Sequence, residues 1–186
     1  MTDPAHGTAE TARVDRALDS PDAFWALVEP HDAGLRRLAY RLLGDADLMD
    51  DVLQDAYIKA FRALPRFRRD AAVGTWLYRV VYNASIDELR RADRRRYVPL
   101  DAVGPTRDPS PDPADVATRR SDLVAALDSL PVDMRAAVLL VDAEGMDYQA
   151  AADVLGIAVG TVASRLNRAR RHLRRALGEH TEGGHQ

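Results

Sequence analysis

The chain has 186 residues, no cysteine, 46% hydrophobic and 30% charged residues, and a formal net charge of −3. That length allows one medium domain or two small ones. The lack of cysteine excludes disulfides, thiolate zinc sites and cysteine nucleophiles, and five scattered histidines (His6, His31, His172, His180, His185) do not compose a metal site. The small net charge hides an alternation: −5 over residues 1–64, +5 over 65–96, −7 over 97–158 and +4 over 159–186. Two basic stretches set in an acidic body suit a chain that meets DNA at two places and another protein elsewhere, because local charge governs phosphate contact.

Residues 1–19 are polar and without periodicity, and read as a mobile leader with neither the basic lead nor the apolar centre of a targeting signal. No apolar run approaches the roughly 20 residues that cross a bilayer, so the chain is expected to stay in the cytoplasm without membrane insertion. Ser20-Pro21 is a helix start of the cap-then-proline kind, followed by Phe24, Leu27 and Val28. Pro30 is expected to interrupt that helix, and a second one buries Leu35, Leu38 and Leu42 before Gly44-Asp45 closes it.

From Asp50 onward Val52, Ala56, Ala60 and Leu64 repeat at helical spacing, widened by Leu53, Tyr57 and Phe61. Asp51, Gln54 and Asp55 lie off that stripe, either as a solvated face that complements the helix dipole or as a docking face for a protein. The loop after Pro65 sets a lone aromatic, Phe67, among Arg66, Arg68 and Arg69. An exposed Phe between arginines is a platform for an unstacked base, and a Phe at a helix end is equally a core residue. The next helix is expected to start at Thr75 as its N-cap and to bury Leu77, Val80, Val81 and Ala84, with Trp76 a further candidate. Asn83, Asp87, Arg90 and Arg94 fall on another face, with Arg91 beside them, where amide and guanidinium groups suit base edges and phosphates.

Residues 97–120 change character, with Pro99, Pro105, Pro109, Pro111 and Pro113 and a surplus of acids, the composition of an extended linker. Ser121 is expected to cap a helix carrying Leu123, Val124, Leu127 and Leu130, ended by Pro131. The nearly all-apolar run 136–141 should lie at the centre of a second domain, with Gly145 stopping its helix. Tyr148 to Leu155 reads as a short helix, Gly156 as a tight turn, and Gly160-Thr161 as the opening of the last helix. Ala152, Gly156 and Val162 hold the small, turn and buried positions of a helix-turn-helix. In the last helix Val162, Leu166, Ala169, Leu173 and Ala176 form the buried face. Thr161 stands at its start, and Ser164, Arg165, Arg168, Arg171 and Arg175 lie outside that face, as for a helix entering a major groove. Six arginines between 165 and 175, with no acid among them, repel one another unless partnered.

The run DVLQDAYIKAFRAL (51–64), then FR, TWLYR (75–79) and NASIDELRR (83–91), resembles region two of the extracytoplasmic-function (ECF) sigma factors of the sigma-70 superfamily, the small alternative specificity subunits of bacterial RNA polymerase. LPVDMRAAV (130–138) and GTVASRLNRAR (160–170) resemble their region four, and RAAVLLVD (135–142) is similar to actinobacterial sigma-M-type members. The resemblance implies an all-α protein: a leader (1–19), a region-two domain (20–96), a Pro-rich extended linker (97–120), a region-four helix-turn-helix domain (121–178) and a tail (179–186). It implies that Asp51, Gln54 and Asp55 dock on the beta-prime clamp helices of core polymerase, whose beta flap is a further contact. Phe67, Arg68, Asn83, Asp87, Arg90, Arg91 and Arg94 would engage the minus-ten element. Thr161, Ser164, Arg165, Arg168 and Arg171 would engage the minus-thirty-five element.

Trp76 stands where primary sigma factors carry two tryptophans, implying weaker duplex melting. Ala163, where the family usually has Lys or Arg, and Gln149-Ala150, which replace a pair of glutamates, mean that no particular minus-thirty-five preference carries over. The expected partners are core RNA polymerase, promoter DNA and an anti-sigma factor. No catalytic residue, metal or cofactor is expected. A stand-alone helix-turn-helix regulator would leave the acidic face and aromatic loop unexplained, and an enzyme finds no phosphate-binding loop, ligand cluster or nucleophile-base arrangement to build on.

Overall fold

A computed structural model describes residues 13–67, 72–96 and 116–182, and among them every regular element is helical. Helix α1 (Pro21–Leu43) starts where local chemistry dictates: the Ser20 hydroxyl accepts from the Ala23 N–H at 3.1 Å and Pro21 fills the first turn. It ends at Gly44, whose φ of 74° lets its N–H reach the Tyr40 carbonyl at 2.8 Å. Pro30 does not interrupt it. Proline in a helix interior costs about 3 kcal/mol. Phe24, Leu27 and Val28 on one side of it and Leu35, Leu38 and Leu42 on the other are all buried, and burying each such side chain returns about 1.5–3 kcal/mol.

Asp45 then caps α2 (Ala46–Ala63), accepting from the Leu48 N–H at 2.9 Å, and a 3-10 turn (Leu64–Arg66) leads out of it. Helix α3 (Val73–Arg96) begins two residues before Thr75, so Thr75 lies inside the helix and is not its cap, because Val73 is itself drawn into the core. These three helices pack on one another around Val28, Leu35, Leu53, Leu77 and Val81, with Phe24 meeting Phe61 edge to face at 5.3 Å. The supposed leader contributes as well: residues 13–16 are helical, and Val14 and Ala17 are buried.

Of the expected linker over 97–120, residues 97–115 lie outside the described residues, and 116–120 are already helical rather than extended. Helix α4 (Val116–Asp128) reaches back beyond Ser121, which is therefore interior rather than a cap, and it buries Ala126 while Leu123 stays 44% exposed. Helix α5 (Val132–Val138) continues into a π turn (Leu139–Ala143), in which the Glu144 N–H bonds the Leu139 carbonyl five residues back at 3.0 Å. Gly145, at φ 70°, stops it. Ala136, Ala137, Val138, Leu139 and Leu140 are all buried, so this run is the centre of the second module. Helix α6 (Tyr148–Leu155), capped by Asp147, turns at Gly156 (φ 66°) into α7 (Val159–Glu182), one residue earlier than the Gly160-Thr161 start.

Arg135 ties this module together. Its guanidinium donates to the Asp128 and Leu130 carbonyls at 2.7 and 3.1 Å, pairs with the Asp128 carboxylate at 3.4 Å, and crosses to the Arg41 carbonyl at 2.8 Å. Arg135→Met keeps the apolar stem but strips the C-terminus of α4 of its donors. The expected cost is about 3 kcal/mol, measurable as a lower urea midpoint with an unchanged slope.

Candidate functional site

On α2 the buried stripe rotates Asp51, Gln54 and Asp55 outward, and all three are exposed. Tyr57 faces the other way: its hydroxyl donates to Asp32 at 2.6 Å, and burial followed by that bond pushes its pKa well up. Arg36 links Asp32 (3.1 Å) to Asp50 (2.6 Å), so the carboxylate of Asp50 is already engaged while its neighbours remain turned to solvent.

A cleft of about 270 Å³ runs between α2 and α3, lined by Asp51, Asp55 and Lys59 on one wall and Glu88, Arg91 and Arg95 on the other. Glu88, 9% exposed, pairs with Arg91 at 3.3 Å and with Arg95. Arg91 thus holds a buried carboxylate while its own side chain stays 55% exposed, and Asn83, Asp87, Arg90 and Arg94 are exposed along α3 as well, Arg90 lying 3.6 Å from Asp87. Phe67 is half-buried and rests against Trp76 at 5.0 Å with the rings tilted by 41°. Both readings of Phe67 therefore have a footing, since one flank packs and the other is open. Arg68 lies outside the described residues.

On α7 the periodic apolar face sits against α5 and α6, leaving Thr161, Ser164, Arg168 and Arg171 exposed. The Ser164 hydroxyl donates to the Thr161 carbonyl at 2.9 Å, an alternative to any DNA contact that costs little to exchange. Arg165 differs: it is 23% exposed and pairs with Asp133 at 3.0 Å. The mutual repulsion of the helix is relieved by α5 and its π turn, which supply Asp133 to Arg165 and Asp142 to Arg170 (Nε to carboxylate 3.1 Å). Among the described residues, no group of three or more metal-ligating side chains gathers.

The sequence reading missed the contacts between the two modules. Helix α6 packs on α3, and the Tyr82 hydroxyl, raised in pKa chiefly by burial, feels both Arg165 and Asp133 from the other module. Glu144 leaves its own module and reaches α1 and α3, where Arg37 and Tyr78 bind it. Gly34, a glycine in mid-helix, was the one local signal of that contact.

Comparison with known proteins places sigma-70 region 2 on residues 27–95 and sigma-70 region 4 on residues 120–173. The ECF RNA polymerase sigma factor SigM of Mycobacterium tuberculosis is 44% identical over 156 residues, 84% of this chain and 78% of that protein. The structure of CnrH in complex with the cytosolic domain of CnrY aligns over 92% of this chain and 98% of that one, with a TM-score of 0.68 and 27% identity. The sigma factor RpoE of Bartonella quintana, solved with the anti-sigma factor NepR, aligns over 83% and 96%, with a TM-score of 0.67 and 28% identity.

Proposed function

Since the chain belongs to the ECF RNA polymerase sigma factors, we propose which of its residues carry each part of that activity. As an alternative sigma factor it directs core polymerase to specific promoters and takes part in initiation as a specificity subunit, without chemistry of its own. In our reading, residues 20–96 carry core docking and the minus-ten element, and residues 121–178 carry the minus-thirty-five element, with the stretch between them as a tether.

One observation supports this division. The same three-helix module presents an exposed acidic strip (Asp51, Gln54, Asp55) on α2 and an exposed strip bearing Asn83, Arg90 and Arg94 on α3. The acidic strip is assigned to the beta-prime clamp helices. On α3, Asn83 is assigned to an unstacked base and Arg90 and Arg94 to phosphates, with Phe67 and Trp76 as the neighbouring apolar surface. Asp87 tempers the charge of Arg90, and Arg91 acts through Glu88, shaping the helix rather than touching DNA. On α7, Thr161, Ser164 and Arg168 are assigned to base edges and the adjoining backbone and Arg171 to a phosphate, while Arg165 joins them once it leaves Asp133.

The reading places the chain in the cytoplasm, where polymerase and promoters are, and no described helix is long and apolar enough to cross a membrane. Because the aligned RpoE was solved with an anti-sigma factor, a protein inhibitor that covers these faces belongs to the proposal.

Run-off transcription on genomic fragments, with purified core polymerase and with or without the chain, tests it. Promoter-dependent transcripts that appear only on addition support the reading, and their absence with a folded chain removes it. Within that assay, Asp55→Arg reverses one of the two charges of the acidic strip. It is expected to weaken core affinity by at least tenfold in a titration of labelled chain with core, whereas unchanged affinity would take the docking role away from α2.

A further inference from the structure

Glu144 is the most heavily bonded side chain between the modules. Its carboxylate accepts from Arg37 Nε and from a second guanidinium nitrogen, both at 3.0 Å, and from the Tyr78 hydroxyl at 2.7 Å. The Glu144 side chain is only 9% exposed although the Arg37 side chain is 59% exposed, so the carboxylate is inserted and the arginine closes over it from the solvent side. The seat exists because residue 34 has no side chain. A Cβ there would stand 1.8 Å from the Tyr78 hydroxyl oxygen and 2.3 Å from Glu144 Oε2. Glycine in a helix interior is disfavoured relative to alanine, so its presence in α1 has a packing reason, and that reason is this socket.

We propose that Glu144 is an intramolecular latch: it occupies a carboxylate socket made by Gly34, Arg37 and Tyr78, and it holds the two modules in a closed state that core polymerase has to open. On the promoter-recognition reading given above, the closed state is too short to be active. The minus-ten and minus-thirty-five elements lie about 25 base pairs apart, about 85 Å at 3.4 Å per base pair. Modules in direct contact, α6 on α3, cannot sit on both at once. Closure also brings Arg165, already paired with Asp133 inside its own module, up to Tyr82 on α3.

The contact is also built to be opened. Beside the socket lies a cavity of about 790 Å³ lined by His31, Gly34, Arg37, Gly74, Tyr78 and Glu144 among others, so this part of the contact is a polar plug with open space beside it, while buried apolar residues of the two modules share one cluster elsewhere. When they part, water solvates both the carboxylate and the guanidinium, which keeps the net cost of opening far below the strength of the individual bonds.

The chain has no cysteine, so a single pair introduced at the exposed positions Ala63 and Ala158 takes a donor and an acceptor dye on the full-length protein. Single-molecule energy transfer without polymerase or DNA is expected to show mainly the short-distance population. Glu144→Gln, which removes the charge, and Gly34→Ala, which fills the socket from the other module while favouring the helix, are each expected to raise the ratio of long to short distances at least tenfold. Adding core polymerase is expected to convert the unsubstituted chain to the long-distance form. A wild-type chain already extended, or two variants of unchanged helical content with an unaltered distribution, would overturn the latch. The distances in the free chain do not depend on whether it initiates transcription, so failure here is distinct from failure of the run-off assay.

Discussion

Replacing Asn83 by alanine lowers promoter-dependent run-off transcription by roughly five- to 150-fold, the equivalent of one good base contact worth about 1–3 kcal/mol, and leaves affinity for core polymerase where it was. Asn83 is exposed near the middle of α3, so the change empties no space in the core. Alanine is also the better helix former by up to about 0.7 kcal/mol, so the variant is expected to be as stable as the parent or slightly more so. Any loss of activity is then a loss of contact rather than of fold. Arg91 supplies the contrast on the same helix. Arg91→Ala takes a partner from the buried Glu88 carboxylate, so its effect is expected to include lower stability and altered core affinity together. A fall in core binding for Asn83→Ala would move that residue to the polymerase interface, and unchanged transcription would remove it from the minus-ten assignment altogether.

The parts of this fold that were legible in the sequence are those set by neighbours along the chain. Ser20, Gly44 and Gly156 act within four residues of themselves, so the start of α1, its end and the turn before α7 follow from their chemistry alone. The apolar run 136–141 and the stripe through Val52, Ala56 and Ala60 are likewise local, and they set which faces of α2 and α7 remain outside. What was not legible depends on residues far apart. Pro30 reads as a break until both flanking segments are seen to pack on the same core. Thr75 and Ser121 read as caps until tertiary packing extends their helices past them. Arg165 reads as a free reader of DNA until α5 brings Asp133 to it, and Arg37 meets Glu144 across 107 positions. Gly34 lay between these cases. Its helix penalty of about 1 kcal/mol was visible, but the group that needs the space comes from the other module.

Leu140→Ala is expected to destabilise the chain by about 2–5 kcal/mol, a large part of the roughly 5–15 kcal/mol that holds a domain together. Leu140 is fully buried in the π turn that carries α5 toward Glu144. Truncating it therefore leaves a cavity whose walls, α5 and the turn, are also the platform of α7. Leu123→Ala is the paired measurement: both leucines belong to the second module, but Leu123 is 44% exposed on α4. Its truncation is expected to change stability by no more than about 0.5 kcal/mol. Urea unfolding followed by far-ultraviolet circular dichroism separates the two, provided the slope with denaturant is unchanged. Equal losses at both positions would mean that the outer face of α4 is covered in solution. A negligible loss at Leu140 would mean that the second module is not organised around the 136–141 run, and the placing of α7 and its arginines would fall with it.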